Sequence, residues 1–213
     1  MTTSPLWERA LAEMPLVAIL RGVVPDQVVA VAAALKDCGF LCLEVPLNSP
    51  DPLTSLARLR GSFGAELLIG AGTVLQQAEV AAVHEVGADF VVSPNTDAAV
   101  IRMTKARGLR SVPGFATPTE AFAALEAGAD ALKLFPAEAA PPAIVRALKA
   151  VLPPHARVLP VGGIEPAAMA GYVAAGAAGF GIGSAIFKPG LEAVAVRERA
   201  EKFVQAWRAL RRP

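Results

Sequence analysis

Short apolar runs and helical patterns alternate from one end of this chain to the other, and that alternation limits the fold more than any other feature. The strand-like runs are Leu16–Leu20, Phe40–Val45, Leu67–Gly70, Phe90–Ser93, Leu109–Val112, Ala131–Leu134, Val158–Val161 and Gly179–Gly183. They are short and mostly apolar, as strands covered by helices should be. Between them the helix signals repeat. Asp26 to Cys38 places Val28, Val31, Ala32 and Leu35 on one face, and Gly39 ends it. Ser49 is expected to cap a helix that opens at Pro50 and closes before Gly61. Thr117 and Glu120 form a capping box with Gly128 as the stop, and Gly87, Gly108 and Gly176 mark three more ends. A unit of helix, glycine and strand recurs at Gly39-Phe40, Gly87-Ala88-Asp89-Phe90, Gly128-Ala129-Asp130-Ala131 and Gly176-Ala177-Ala178-Gly179. Parallel strands need crossover helices, and this unit supplies one each time. Eight β/α units in about 200 residues suit a closed (β/α)8 TIM barrel near its lower size limit. An open doubly wound sheet is the competitor, and the count of eight favours the barrel. The expectation is an α/β fold, one domain over residues 1–213, with an extra helix before the first strand. Trp7 and Trp207 fall in flanking helices and are expected only to pack.

A chain of this length can bury about 70% of its unfolded surface as one domain. The composition, 54% hydrophobic and 18% charged, is that of a globular protein. Net charge is +1 with no basic face, so nucleic acid is not an expected partner. Charged or polar residues interrupt every apolar run before membrane-spanning length. Met1 to Met14 lacks a basic start, an apolar stretch and a small-residue cleavage site, so no secretory signal is expected there. Cys38 and Cys42 read as two reduced core thiols, which fits a cytoplasmic setting.

Chemistry centres on one lysine. Lys36, Lys105, Lys149 and Lys202 fall in helical patterns and Lys188 in a loop, but Lys133 sits within the strand Ala131-Leu132-Lys133-Leu134. Strand side chains alternate faces, so if Leu132 and Leu134 face the helices, Lys133 faces the barrel interior. A lysine there loses hydration, which lowers its pKa and favours the neutral, nucleophilic amine of a Schiff-base enzyme. An interior salt bridge or the opposite parity would make it merely structural. Glu44 repeats the pattern, sharing one face with Cys42 while Leu43 and Val45 share the other. A carboxylate at the C-terminal end of a barrel strand occupies the position of a catalytic acid/base, or of a buried ion-pair partner. Arg21 ends the first strand on the same parity. It could pair with Glu44 or hold an anionic substrate group.

Glycines add an anion site. Val161-Gly162-Gly163 follows the seventh strand, and Gly179-Phe180-Gly181-Ile182-Gly183-Ser184 spans the eighth. Loops after these strands often bind phosphate in barrels, although glycines can also serve turns alone. Gly70-Ala71-Gly72-Thr73 could bring backbone and a hydroxyl near a substrate, and it lacks dinucleotide-fingerprint spacing. The histidines, His84 and His155, look like surface residues. No cluster has metal-ligand spacing and no nucleophile elbow is present, so neither metal nor serine-hydrolase chemistry is expected.

The chain resembles the 2-keto-3-deoxy-6-phosphogluconate/6-phosphogalactonate aldolases. The resemblance is carried by Ala18-Ile19-Leu20-Arg21-Gly22, Leu43-Glu44-Val45-Pro46-Leu47-Asn48-Ser49-Pro50, Ile69-Gly70-Ala71-Gly72-Thr73-Val74-Leu75, Ser93-Pro94-Asn95, Val112-Pro113-Gly114, Leu132-Lys133-Leu134-Phe135-Pro136 and Pro160-Val161-Gly162-Gly163-Ile164. It implies a class I aldolase, a lyase of sugar-acid catabolism, that takes a phosphorylated keto-deoxy sugar acid and releases pyruvate and glyceraldehyde 3-phosphate. It implies Lys133 as the Schiff-base residue and Glu44 as the acid/base. By the same likeness Arg21 and Thr73 contact the pyruvate part and Gly162, Gly163 and Ser184 the phosphate end. Asn48, Pro94, Phe135 and Gly183 join them as substrate-binding positions. A homotrimer without cofactor or metal, away from membranes, is implied as well. Members of the gluconate branch commonly read Glu-Val-Thr-Leu-Arg around the acid/base and carry Thr before the Gly-Gly pair. This chain has Glu44-Val45-Pro46-Leu47-Asn48 and Val161, which is similar to the galactonate branch, with 2-dehydro-3-deoxy-6-phosphogalactonate as substrate. The C4 epimer is the alternative substrate. A phosphate-binding isomerase or synthase on the same barrel, or a non-catalytic sugar-phosphate binder, would share the fold without the imine.

Overall fold

Proline and glycine punctuate the helices at opposite ends, as their backbones dictate. The structure, a computed structural model, describes residues 5–211. Residues 1–4, part of the segment read for a leader, and residues 212–213 lie outside it. Helix α1 (Pro5–Glu13) precedes strand β1 (Leu16–Ile19). There follow α2 (Pro25–Cys38), β2 (Cys42–Pro46), α3 (Pro52–Phe63), β3 (Leu68–Gly72), α4 (Gln77–Glu85), β4 (Phe90–Val92), α5 (Ala98–Ala106) and β5 (Arg110–Val112). The chain continues through β6 (Gly114–Phe115), α6 (Pro118–Glu126), β7 (Leu132–Leu134), α7 (Pro142–Val151), β8 (Val158–Pro160), α8 (Met169–Ala174), β9 (Phe180–Ile182) and α9 (Ala193–Leu210). Prolines start α2, α3, α6 and α7 in the first turn, where the missing N–H has no partner to lose. The expected box at α6 is present. Glu120 N donates to Thr117 Oγ1 at 3.4 Å, and Glu120 Oε2 accepts from Thr117 N at 2.9 Å.

One helix start differs from expectation. Instead of a Ser49 cap with Pro50 at its head, α3 opens at Pro52 after Asp51, runs through Gly61 and ends at Gly64. The Ser49 hydroxyl is used elsewhere, accepting from Gly22 N at 2.9 Å across the strand ends. Gly61 is solvent-exposed with nothing near its Cα, so its presence inside a helix costs about 1 kcal/mol and no packing.

Every strand pair is parallel. One ladder runs β5-β4-β3-β2-β1-β9 and a second β6-β7-β8. β5 and β6 are one extended run divided at Pro113, which has no N–H to donate but whose carbonyl accepts from Lys133 N at 2.9 Å. The other side is joined by a parallel bridge between Val161 and Gly181. The sheet therefore curls, with helices outside. Leu43, Val45, Ile69, Leu132 and Leu134 pack outward against the helices. Cys42, Phe90, Val92, Val112, Ala131 and Leu159 pack inward, with Trp7 of α1 laid against Phe90 at 6.0 Å between ring centroids. Trp7 thus belongs to the interior cluster, where it is 3% exposed.

The repeated Gly-Ala-Asp unit has a visible purpose. Asp89 accepts from Ile69 N at 2.8 Å and pairs with Arg60. Asp130 accepts from Ser111 N at 2.8 Å, from Lys105 at 2.5 Å and from Arg110 at 2.8 Å. Each aspartate pins the start of its own strand to the start of the preceding one. Among the described residues no helix is long and apolar enough to cross a membrane.

Candidate active site

β7 is three residues of alternating direction, so its two leucines cannot be buried outward without sending Lys133 inward. The lysine is held between β6 and β8, level with Gly114 and Leu159, and is 4% exposed. On β2 the same alternation buries Leu43 and Val45 outward and Glu44 inward, 2% exposed, level with Ile19 and Gly70. None of the ion pairs among the described residues includes Lys133 or Glu44. Glu44 Oε1 is buried with no hydrogen-bond partner. Both groups therefore carry the desolvation penalty of burial without a direct bond to relieve it. Burial holds Lys133 below the ordinary lysine value, Glu44's charge opposes that shift, and Arg21's charge adds to it. Burial pushes Glu44 above the ordinary carboxylate value, against the pull of Lys133 and Arg21. The pair combines an amine inclined to be neutral with a carboxyl inclined to hold a proton, the properties of a nucleophile and an acid/base.

Two spaces meet at Lys133. Above it, at the C-terminal ends of the strands, opens a cavity of about 290 Å³. Of the residues expected at a site, Arg21, Lys133, Phe135, Gly162, Gly163, Gly183 and Ser184 line it. Below lies an apolar space in the curled sheet, whose only charged lining groups are Lys133 and Glu44. Glu44, Thr73 and Pro94 do not line the upper cavity, Glu44 lining only the space below it, and Asn48 reaches the cavity only through Arg21. Thr73 holds a left-handed backbone, φ 57°, which costs a non-glycine residue about 1 kcal/mol. Arg21 makes no ion pair with Glu44. Its Nη1 donates to Asn48 Oδ1 at 2.6 Å, and that arrangement leaves the rest of the guanidinium toward the cavity.

Three charged residues at the cavity were not anticipated: Glu138, Glu165 and Lys188. Glu138 lies across the glycine pair. A Cβ on Gly163 would stand 2.6 Å from its Cγ, and one on Gly162 3.0 Å from its Cδ. Both glycines also take positive φ, 108° and 61°. The signal for Glu138 was its place five residues after Lys133, just past the strand exit. Lys188 could be read only as a loop residue, because nothing local says which loop folds over the strand ends.

The remaining candidates are inert. Cys38 and Cys42 are free and buried, and burial pushes the Cys42 thiol up to about 12. His84 and His155 are exposed. Among the described residues no three His, Cys, Asp or Glu side chains gather as metal ligands do.

Comparison with known proteins agrees with this geometry. The profile of the family described as KDPG and KHG aldolase matches residues 7–202. A 2-dehydro-3-deoxy-6-phosphogalactonate aldolase of Escherichia coli (strain K12) is 44% identical, covering 92% of this chain and 96% of its own. A probable 2-dehydro-3-deoxy-6-phosphogalactonate aldolase of Rhizobium meliloti (strain 1021) is 45% identical over 93% of both chains. A solved structure described as native KDPGal superposes with a TM-score of 0.92 at 44% identity, covering 93% of this chain and 96% of that one.

Proposed function

This chain belongs to the KDPG and KHG aldolase family of class I, Schiff-base aldolases, and we propose that it cleaves 2-dehydro-3-deoxy-6-phosphogalactonate through an imine on Lys133. The products are pyruvate and D-glyceraldehyde 3-phosphate. One observation carries the residue assignment: Lys133 is buried, free of any ion pair, and opens onto a cavity at the C-terminal ends of the strands. That is where barrel enzymes keep their chemistry, and the two ladders are read here as the eight strands of one closed (β/α)8 barrel.

Neutral Lys133 Nζ adds to the C2 ketone, and loss of water leaves an iminium. The iminium draws electrons from the C3–C4 bond while Glu44, directly or through a water, takes the proton of the C4 hydroxyl. The bond breaks, the aldehyde leaves, and the enamine of pyruvate remains on the lysine. Protonation at C3 and hydrolysis release pyruvate and restore the amine. Arg21, which lines the cavity, holds the carboxylate end. Gly162, Gly163 and Ser184 hold the phosphate, whose binding away from the reacting carbons orients the substrate. Preference for the galactonate epimer is supported by Asn48 and Val161 and by the names of the two relatives, and cleavage of both C4 epimers side by side tests it. A homotrimer in a reducing cytoplasm completes the proposal, the former tested by sedimentation equilibrium.

Borohydride reduction in the presence of pyruvate tests the central step. The expected result is one pyruvate-derived adduct, located at Lys133 by peptide mass, and no adduct or cleavage in Lys133→Ala. Substantial aldol cleavage by that variant would end the imine mechanism.

A further inference from the structure

The stretch Ile69-Gly70-Ala71-Gly72 puts two glycines at alternate positions of β3, hence on one face, and that face looks inward. Neither takes a positive φ, so the backbone does not require glycine at either place. Space does. A Cβ on Gly70 would stand 2.6 Å from Phe90 Cδ2 and closer still to the ring carbons beyond it. A Cβ on Gly72 would stand 2.8 Å from Glu44 Cγ, 2.5 Å from its Cδ, and closest of all to Oε1. The Phe90 ring belongs to the packed interior. The Glu44 carboxylate lies against bare main chain one strand away, with its Oε1 bonded to nothing.

We infer that Gly72 is a positioning residue for Glu44: its missing side chain is the seat on which the carboxylate rests, facing the space shared with Lys133. Main chain closes this side of the carboxylate, and the space it faces is the apolar one it shares with Lys133. A methyl group at position 72 occupies the seat and forces the carboxylate away. The three atoms nearest to that methyl group all belong to Glu44, while Lys133 stands on the other ladder, on β7, and the glycine pair follows β8. The inference rests on the proposed acid/base role of Glu44, and it separates two steps that a general loss of structure would abolish together. Imine formation depends on Lys133 and survives. Proton transfer to and from carbon depends on where the carboxylate sits and fails.

The test uses Gly72→Ala, Glu44→Ala, the double variant and Glu44→Gln in the full-length protein, with thermal melting as the check on folding. Two rates are read with pyruvate: borohydride trapping on Lys133, and exchange of the C3 protons in deuterium oxide. Gly72→Ala is expected to trap pyruvate near the parental rate while proton exchange and cleavage fall about a hundredfold or more. Alanine at position 44 ends at Cβ and so removes the Glu44 Cγ, Cδ and Oε1 atoms that the added methyl group would strike. Gly72→Ala placed on Glu44→Ala should therefore melt as Glu44→Ala does and cost no further exchange, because the methyl group acts only through Glu44. Parental exchange in Gly72→Ala, or loss of trapping in step with exchange in a folded variant, overturns the inference. If Gly72→Ala does not fold, the double variant decides: it must fold and exchange as Glu44→Ala does, and failure of either shows that the methyl strikes something other than Glu44. Glu44→Gln keeps the two readings apart. Parental exchange in Glu44→Gln removes Glu44 from proton transfer altogether, whereas an inactive Glu44→Gln beside a normal Gly72→Ala removes only the seat.

Discussion

Replacing Asp130 with alanine should destabilise the fold by about 3 kcal/mol and leave the chemistry alone. The aspartate sits just before β7, at the opposite end of the sheet from the cavity. Its carboxylate accepts from Ser111 N at 2.8 Å, Lys105 Nζ at 2.5 Å and Arg110 Nη1 at 2.8 Å. Ser111 is 2% exposed, so without the carboxylate its N–H is a buried donor with no partner, a loss of about 1–3 kcal/mol. Lys105 and Arg110 have side chains 23% and 19% exposed, against 13% for Asp130. Water can recover part of their hydration, so their share falls below the roughly 3–5 kcal/mol of a fully buried broken pair, to about 1–2 kcal/mol. For a chain of this size about 3 kcal/mol corresponds to a fall in Tm of roughly 6–12 °C. Urea titration measures it directly: the midpoint should drop with an unchanged slope. Asp130→Asn, which keeps an acceptor for Ser111 but no charge, should lose about half as much. Turnover at 25 °C should match the parent in both. A loss under about 1 kcal/mol in Asp130→Ala would show that the three bonds are replaced by water and that the repeated aspartate does not pin the strands.

Two further expectations concern the site. Because burial holds Lys133 below the ordinary lysine value of 10.5, adduct formation with pyruvate should stay fast as the pH is lowered past 10.5 and slow only on reaching the depressed value. An inflection at the ordinary value in a pH series of borohydride trapping would contradict the burial argument. Asn48→Ala removes the acceptor that aims Arg21, so KM should rise about tenfold with kcat little changed. An equal fall in kcat would place Asn48 in the chemistry and not in binding.

Much of the site was readable because a strand's alternation is local. Leu132 and Leu134 must be buried against helices, and that alone turns Lys133 inward; Leu43 and Val45 do the same for Glu44. The capping box at Thr117 and Glu120 was readable for a similar reason, since both partners lie within one helical turn. Ser49 was misplaced by the same logic: its spacing to Pro50 looked like a cap, but a hydroxyl bonds the nearest suitable donor in space, and that donor is Gly22 N on another strand. Glu138 could not be placed over Gly162 and Gly163, because the contact joins the exits of two different strands.

Residue order by itself therefore determined the succession of strands and helices, the inward parity of Lys133 and Glu44, and the aspartate that begins β4 and β7, since each follows from covalent geometry over a few residues. Only the tertiary structure decided that the lysine and the carboxylate are buried without an ion pair, that Arg21 turns to Asn48, and that a missing side chain on β3 makes room for Glu44. Those are relations between groups 27 to 89 residues apart. They are set by how a curled sheet brings its strands side by side, a choice made by packing the whole interior and carried by no segment alone.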